Sequence, residues 1–204
     1  MVADRPLVFV DLDDTLFQTA RKMAAGEPRM VASLDVQGQP NGFMNPVQQQ
    51  WVRWLLSCAD VVPVTARSRE ACSRVRLPFR FGAICSHGGS LLHSDGSLDN
   101  DWHAQMSDAL KDVQARLPLL SEALLQIGDE LGLSLRSWVV AEAGLHHYVV
   151  TKHNGSDDSV LVGVLAQARA QGLLDGLQVH VNGNNLAFLS RALGKRLALS
   201  LIHI

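Results

Sequence analysis

Two aspartates stand directly behind a short apolar run near the start of the chain. Residues 7–10 read Leu-Val-Phe-Val, and Asp11 and Asp13 follow with Leu12 between them. Such a run is typical of a strand that is buried on both faces. Because side chains alternate along a strand, the two carboxylates share one side, and their repulsion favours a cation or a proton between them. This predicts a site for charged ligands at the end of the first strand.

The same residues also suit a plain turn. Asp and Thr are ordinary turn and N-cap residues, so chain reversal alone would account for Asp13, Asp14 and Thr15. A turn does not account for the carboxylate at Asp11, which is the last position of the predicted strand. We therefore favour the functional interpretation of the pair.

A second polar residue stands at the end of another apolar run. Thr65 follows residues 61–64, and Ala66, Arg67 and Ser68 then lead into a predicted helix. A hydroxyl at the carboxyl end of a strand, just before a helix begins, is well placed to hold a phosphate oxygen. A threonine that caps its own loop is the alternative.

The stretch between these two strands predicts a hairpin and a helix. A turn is expected about residues 36–38, and Asn45 with Pro46 marks the start of a helix. Four residues of the helix recur at helical spacing, which predicts that their face is buried. They are Val47, Trp51, Trp54 and Cys58.

Residues 81–85 are the third predicted strand. The segment that follows them differs from the first part of the chain in its pattern of apolar residues. Apolar spacing predicts helical pieces interrupted at Pro118 and then two strands, a helix and two strands. The order αββαββ is typical of helices on one face of an antiparallel sheet. We expect an α/β core with a parallel sheet in residues 1–88, an inserted α+β domain in 89–190, and the start of the core's return in 191–204.

The composition excludes several classes of protein. Of the 204 residues, 47% are apolar and 19% are charged, which indicates a folded globular chain and not a disordered one. A net charge of -2 gives no reason to expect nucleic acid as a partner. No apolar run approaches the roughly 18–20 residues of a membrane span, so no membrane partner is expected. The three cysteines are an odd number with wide spacing, which predicts reduced thiols in the cytoplasm.

The first stretch resembles motif I of the haloacid dehalogenase-like (HAD) phosphohydrolases, a hydrophobic strand that ends in Asp-x-Asp-x-Thr. Asp11, Asp13 and Thr15 match each defined position of that motif. The insert at 89–190 resembles the C2B cap of the sucrose-phosphate, trehalose-phosphate and Cof-type phosphatases. This resemblance implies a Rossmann-like core and an αββαββ cap domain.

Three further positions carry the resemblance. Thr65 resembles motif II, and Arg67 stands where many sugar-phosphatase relatives have a substrate-binding arginine. Lys195 resembles the lysine of motif III, which opens the helix after the last cap strand; a solvated lysine is the alternative. His87 and Gly88 replace the Asn-Gly that the Cof-type branch commonly has after its third strand.

The resemblance implies a role for each site residue. Asp11 attacks phosphorus and carries the aspartyl-phosphate, while Asp13 protonates the leaving alkoxide and then deprotonates water. Thr65 and Lys195 bind the phosphoryl oxygens, and Arg67 binds substrate. Mg²⁺ is expected to bridge Asp11, the backbone carbonyl of Asp13 and the phosphate.

The acidic motif IV of the family has no counterpart here. No Asp or Glu follows Asp175, and residues 199–204 match the translation of a common transposon sequencing adapter. We expect the true reading frame to end at or near Ala198, with the rest of the gene lost in sequence assembly. The chain as given is expected to be poorly soluble and inactive until the missing acid is supplied.

These observations leave three functional hypotheses. The leading one is Mg²⁺-dependent hydrolysis of a small phosphorylated metabolite, with a sugar phosphate preferred because of the C2B-like insert. The second is phosphomutase-type phosphotransfer, which uses the same motifs. The third is a non-catalytic module that binds a phosphorylated ligand, because motif IV is absent.

Overall fold

The computed structural model describes residues 5–155 and 157–201, which form two compact units. One unit comprises the residues up to His103 and those from Lys195 onwards, and the other runs from Ala104 to Gly194. No helix in the described residues is long and apolar enough to cross a membrane. The predicted limits at 88/89 and 190/191 stay a prediction, because compactness does not show that either unit folds alone. The expected adapter-derived ending, 199–204, lies partly outside the described residues.

The first unit is built on a parallel pair of strands. Strand β1 pairs with β5 in parallel, and Val64 bridges Ile84 of β6, also in parallel. This arrangement confirms the predicted parallel core. The elements are β1 (Leu7–Val10), β2 (Gln18–Thr19), β3 (Met30–Leu34), β4 (Pro40–Met44), α1 (Pro46–Cys58), β5 (Asp60–Pro63), α2 (Arg69–Ser73), β6 (Ala83–Cys85), β7 (Ser90–Leu92) and α3 (Asn100–Ala109), which runs into the second unit.

The predicted hairpin about residues 36–38 is confirmed. Strands β3 and β4 are antiparallel, and β2 extends them to a three-stranded sheet. The turn is held by the Asp35 carboxylate, which accepts the amides of Gln37 at 2.9 Å and Gln39 at 2.8 Å. A short Asp side chain that bonds backbone amides in this way is a common turn device.

Helix α1 begins as predicted, but its predicted buried face is wrong. Asn45 caps the helix and forms a capping box with Gln48. The buried positions are Val52 and Leu55, because this aliphatic stripe also has helical spacing and packs into the core of β1 and β5. The predicted stripe is largely exposed. The exposed fractions are 73% for Val47, 41% for Trp51 and 60% for Trp54.

The second unit has the predicted αββαββ order. Its elements are α4 (Arg116–Glu130), β8 (Leu135–Glu142), β9 (Leu145–His153), α5 (Val160–Ala170), β10 (Leu177–Asn182) and β11 (Asn185–Ser190). The strands form one antiparallel sheet in the order β10-β11-β9-β8. Both helices pack on the sheet around the buried side chains of Leu124, Val149, Val164 and Phe188.

The helical break in this unit differs from the prediction. Pro118 lies within the first turn of α4, and the interruption comes earlier, at a 3-10 turn over Lys111–Val113. A first-turn residue has no intrahelical partner for its amide, so proline is tolerated there. After β11 the chain returns to the first unit as α6 (Lys195–Leu201), which begins at the predicted lysine.

Candidate active site

Asp11 and Lys195 form the centre of the candidate site. Asp11 is the first residue after β1, and Lys195 is the first residue of α6. The Lys195 ammonium donates from Nζ to Oδ1 of Asp11 at 2.7 Å. Their side chains are 44% exposed for Asp11 and 32% for Lys195, so a solvent-borne ligand has access to both. The structure thus brings together the two predicted residues that are furthest apart in sequence.

A tight turn presents the two aspartates on the surface. Between them, the Leu12 side chain is fully buried, and its carbonyl accepts the amide of Leu16 at 2.9 Å. Asp14, which follows Asp13, has a φ of +63°, a left-handed conformation that Asp tolerates better than most residues. The buried leucine anchors the turn and leaves Asp11 and Asp13 at the end of the strand.

The guanidinium of Arg67 donates two parallel hydrogen bonds to the carboxylate of Asp13. Its Nε donates to Oδ2 at 2.8 Å and its Nη2 donates to Oδ1 at 2.8 Å. The guanidinium carbon lies 5.1 Å from the centroid of the Phe17 ring, and Nη1 donates to the carbonyl of Ala71 at 3.3 Å. Such a planar fork fixes a carboxylate in orientation as well as in charge. The residue predicted to bind substrate therefore contacts the predicted general acid.

Thr65 is buried beside this pair. Its amide donates to the carbonyl of Ile84 at 2.8 Å, and its Oγ1 accepts the amide of Arg67 at 3.1 Å. This bond is the loop cap that the sequence allowed as the alternative role. It uses Oγ1 as an acceptor, so the hydroxyl keeps its proton to donate to another oxygen.

The turn after β6 is a part of the site that sequence reasoning missed. The amide of Ser86 donates to the carbonyl of Arg67 at 2.7 Å, and that of His87 donates to the carbonyl of Thr65 at 3.1 Å. Helix α6, which begins with Lys195, packs against the same turn. The departure from Asn-Gly at His87 was the one signal in the sequence that pointed to this turn.

A cysteine pair lies close to Arg67. A hydrogen bond from the Cys85 thiol lowers the pKa of Cys72 below its usual value, burial opposes the effect, and the charge of Arg67 adds to it. The Asp13 carboxylate acts in the opposite direction on the same pKa. The electrostatic surroundings of Asp13 and Arg67 therefore extend to α2, which carries Cys72.

The donor set fits a magnesium ion that shares its ligands with a substrate. Among the described residues no three His, Cys, Asp or Glu side chains converge as a metal cage. Mg²⁺ at phosphoryl sites takes one or two carboxylates and completes its shell with phosphate oxygens and water. Asp11 provides one accessible carboxylate, whereas the Asp13 carboxylate is held by Arg67. The backbone carbonyl of Asp13 is the remaining donor that the motif predicts.

Sequence comparisons find no match: no family model and no curated protein matches the chain. Solved structures do match. A trehalose-6-phosphate phosphatase related protein is 18% identical, with 95% of this chain and 71% of that chain covered and a TM-score of 0.51. A haloacid dehalogenase-like hydrolase from Bacteroides thetaiotaomicron is 12% identical, with 98% and 76% covered and a TM-score of 0.50. An N-terminally truncated, IMP-bound IMP-nucleotidase from Plasmodium falciparum is 14% identical, with 96% and 54% covered and a TM-score of 0.52.

These matches bear on the fold. The chain has the fold of the HAD-like phosphatases, a Rossmann-like core with an inserted α+β domain, which confirms the fold that the motifs implied. At 12–18% identity the likeness describes the fold, and the chemistry has to be argued from the residues of the site.

Proposed function

We propose that the chain hydrolyses the phosphate monoester of a small metabolite through an aspartyl-phosphate, with a sugar phosphate as the preferred class. The contact that carries the proposal is the 2.7 Å hydrogen bond from Lys195 to Asp11 at the end of β1. It supports the proposal because a carboxylate beside a cation, at the edge of a parallel sheet where ligands bind, is suited to act as a nucleophile. The fold that the chain shares with a trehalose-6-phosphate phosphatase related protein and an IMP-nucleotidase supports the same reaction class.

The first half-reaction forms a bond from Asp11 to phosphorus. Lys195 holds Oδ1 of Asp11, which leaves the other carboxylate oxygen to attack. The oxygen–phosphorus bond forms as the bond from phosphorus to the substrate alkoxide breaks. Lys195 and the Thr65 hydroxyl offset the charge on the phosphoryl oxygens.

Asp13 moves the proton in both half-reactions. Both of its oxygens accept N–H bonds from Arg67 in the structure, and a carboxyl group that delivers a proton cannot keep both bonds. We infer that Asp13 leaves Arg67, takes up a proton from solvent and then gives that proton to the departing alkoxide. In the second half-reaction it takes a proton from water, which attacks phosphorus and releases Asp11. Substrate binding by Arg67 itself stays a prediction.

Magnesium completes this proposal. Asp11 and the carbonyl of Asp13 would hold the ion, which supplies positive charge to the phosphoryl group. Among the described residues, Cys58, Cys72 and Cys85 form no disulfide, which supports a cytoplasmic location for the reaction.

A phosphate-release assay tests the proposal. The purified chain is offered a panel of sugar phosphates and nucleoside monophosphates with Mg²⁺, beside an Asp11→Asn variant that keeps the shape of the side chain and loses the nucleophile. For the chain as given the sequence predicts inactivity, so we expect release from a wild-type chain that also carries an acidic motif IV, and none from its Asp11→Asn variant. Release by pure Asp11→Asn would contradict the assignment of the nucleophile. Tight binding of BeF₃⁻ by the wild type without any release would identify the non-catalytic module instead.

A further inference from the structure

The Ser86–Gly88 turn has a backbone conformation that most residues avoid. The φ angle is +53° at Ser86 and +57° at His87, and both residues are buried. Two successive left-handed residues other than glycine cost free energy and persist only where their surroundings hold them, most often at functional sites. Here the indole Nε1 of Trp102 donates to the carbonyl of Gly88 at 2.9 Å and helps to fix the turn.

The Ser86 hydroxyl is buried without a partner. Within residues 5–155 and 157–201, its Oγ makes no hydrogen bond and has no contact with solvent. A buried hydroxyl in this state destabilises a fold, so each native case needs a reason. Ser90 on β7 has the same property among the described residues, and it pairs with Cys85 across the two-stranded sheet.

The turn that contains Ser86 contacts the segments that carry Thr65 and Lys195, the predicted phosphate-binding residues. The turn donates its amides to the carbonyls of Thr65 and Arg67, and α6, which begins with Lys195, packs on it. Thr65 is as deeply buried as Ser86, with 0% exposed for each. Thr65, the residue predicted to bind the phosphate, is therefore buried to the same depth as Ser86.

We propose that Ser86 is a second hydroxyl donor to the phosphoryl group, beside Thr65. The amides of the turn bond to the Thr65–Arg67 loop, and a phosphoryl oxygen that enters beside this loop accepts the proton that no group among the described residues accepts. The proposal rests on the proposed function, because it needs a phosphoryl group at Asp11.

Two serine variants and one probe test the proposal. Ser86→Ala and the matched control Ser90→Ala each remove a buried hydroxyl without a partner. Both should raise the Tm of the protein alone, by about 2–4 °C. Titration with orthovanadate in the presence of Mg²⁺ should show a loss of about tenfold in affinity for Ser86→Ala. Ser90→Ala should bind vanadate as the wild type does.

The outcomes separate this proposal from the proposed function. Unchanged vanadate affinity in Ser86→Ala, with binding by the wild type, would overturn the role of Ser86 alone. Absence of vanadate binding by the wild type would overturn the proposed function and this role with it. Should Ser86→Ala fail to fold at a positive φ, Ser86→Gly removes the same hydroxyl from a residue that accepts the turn, and the same tenfold loss is expected.

Discussion

The ammonium of Lys195 donates to the carboxylate of Asp11 at 2.7 Å, although 184 positions separate the two residues. The contact joins the end of the first strand to the start of the last described helix. In the proposed reaction, a lysine in this place keeps the carboxylate oriented and neutralises charge as the phosphoryl group arrives. The pair is thus a structural link within the first unit and the centre of the proposed site.

Replacing Lys195 should impair catalysis far more than it impairs folding. Lys195→Ala removes the cation beside Asp11, and we expect phosphate release to fall by about 10²–10³-fold, as for the loss of one charge-stabilising donor. Lys22→Ala is a matched control, because Lys22 pairs with Asp14 at 2.5 Å with similar exposure. That pair is a surface ion pair, worth about 0–1 kcal/mol. Equal losses of activity in the two variants would show that Lys195 acts only through local charge.

Asp13→Asn should separate substrates by their leaving groups. A sugar phosphate leaves as a poor alkoxide that needs a proton, so its rate should fall by about 10²–10⁴-fold. An activated aryl phosphate barely needs protonation, so the first half-reaction should retain most of its rate. Burst and steady-state phosphate release with both substrates measure this difference. If both substrates lose the same factor in the burst phase, Asp13 is not the general acid.

The sequence predicts the strand-end residues of the site well and the contacts between loops poorly. Asp11 and Thr65 each end an apolar run, so the parallel sheet itself brings them to one edge. The ion pair between Arg67 and Asp13 depends on how the loops that carry these two residues fold at that edge. Helix α1 shows the same limit, because two stripes of helical spacing compete and only packing decides that Val52 is buried.

The left-handed turn at residues 86–88 is the least predictable part of the site. Ser has no preference for positive φ, and the enrichment of His there is weak beside the freedom of glycine. The turn is held by bonds to the Thr65–Arg67 loop, which is distant in sequence. Only the three-dimensional contacts therefore reveal Ser86.

Arg67 should act on Asp13 more than on substrate binding. Arg67→Ala removes both N–H bonds to the carboxylate, and misplacement of a catalytic group costs up to about 10²-fold in rate. We expect kcat for an alkyl phosphate to fall by about tenfold or more, with little change in KM. Arg74→Ala is the control, since Arg74 pairs with Glu70 in the neighbouring helix. A rise in KM with unchanged kcat would instead support the substrate-binding role that the sequence predicted.

The thiol pair near Arg67 makes a prediction about pH. The Cys85 thiol, as hydrogen-bond donor, is the largest cause of the lowered pKa of Cys72, whose ordinary value is 9.0. The thiolate of Cys72 should therefore form at lower pH in the folded protein than in urea. A lowered pKa in the folded state adds stability that is complete above pH 9.0 and is lost as the pH falls through the folded value.

The rate of iodoacetamide alkylation of Cys72 against pH, followed by mass spectrometry of its peptide, measures this shift, because the thiolate is the reactive form. Cys85→Ala removes the donor and should move the midpoint for Cys72 upward, whereas Cys85→Ser keeps a donor and should leave the midpoint low. Arg67→Ala should also raise the midpoint, by less than Cys85→Ala, since the guanidinium is a smaller cause of the shift. The same midpoint in wild type and Cys85→Ala would contradict the hydrogen bond as the source of the lowered pKa.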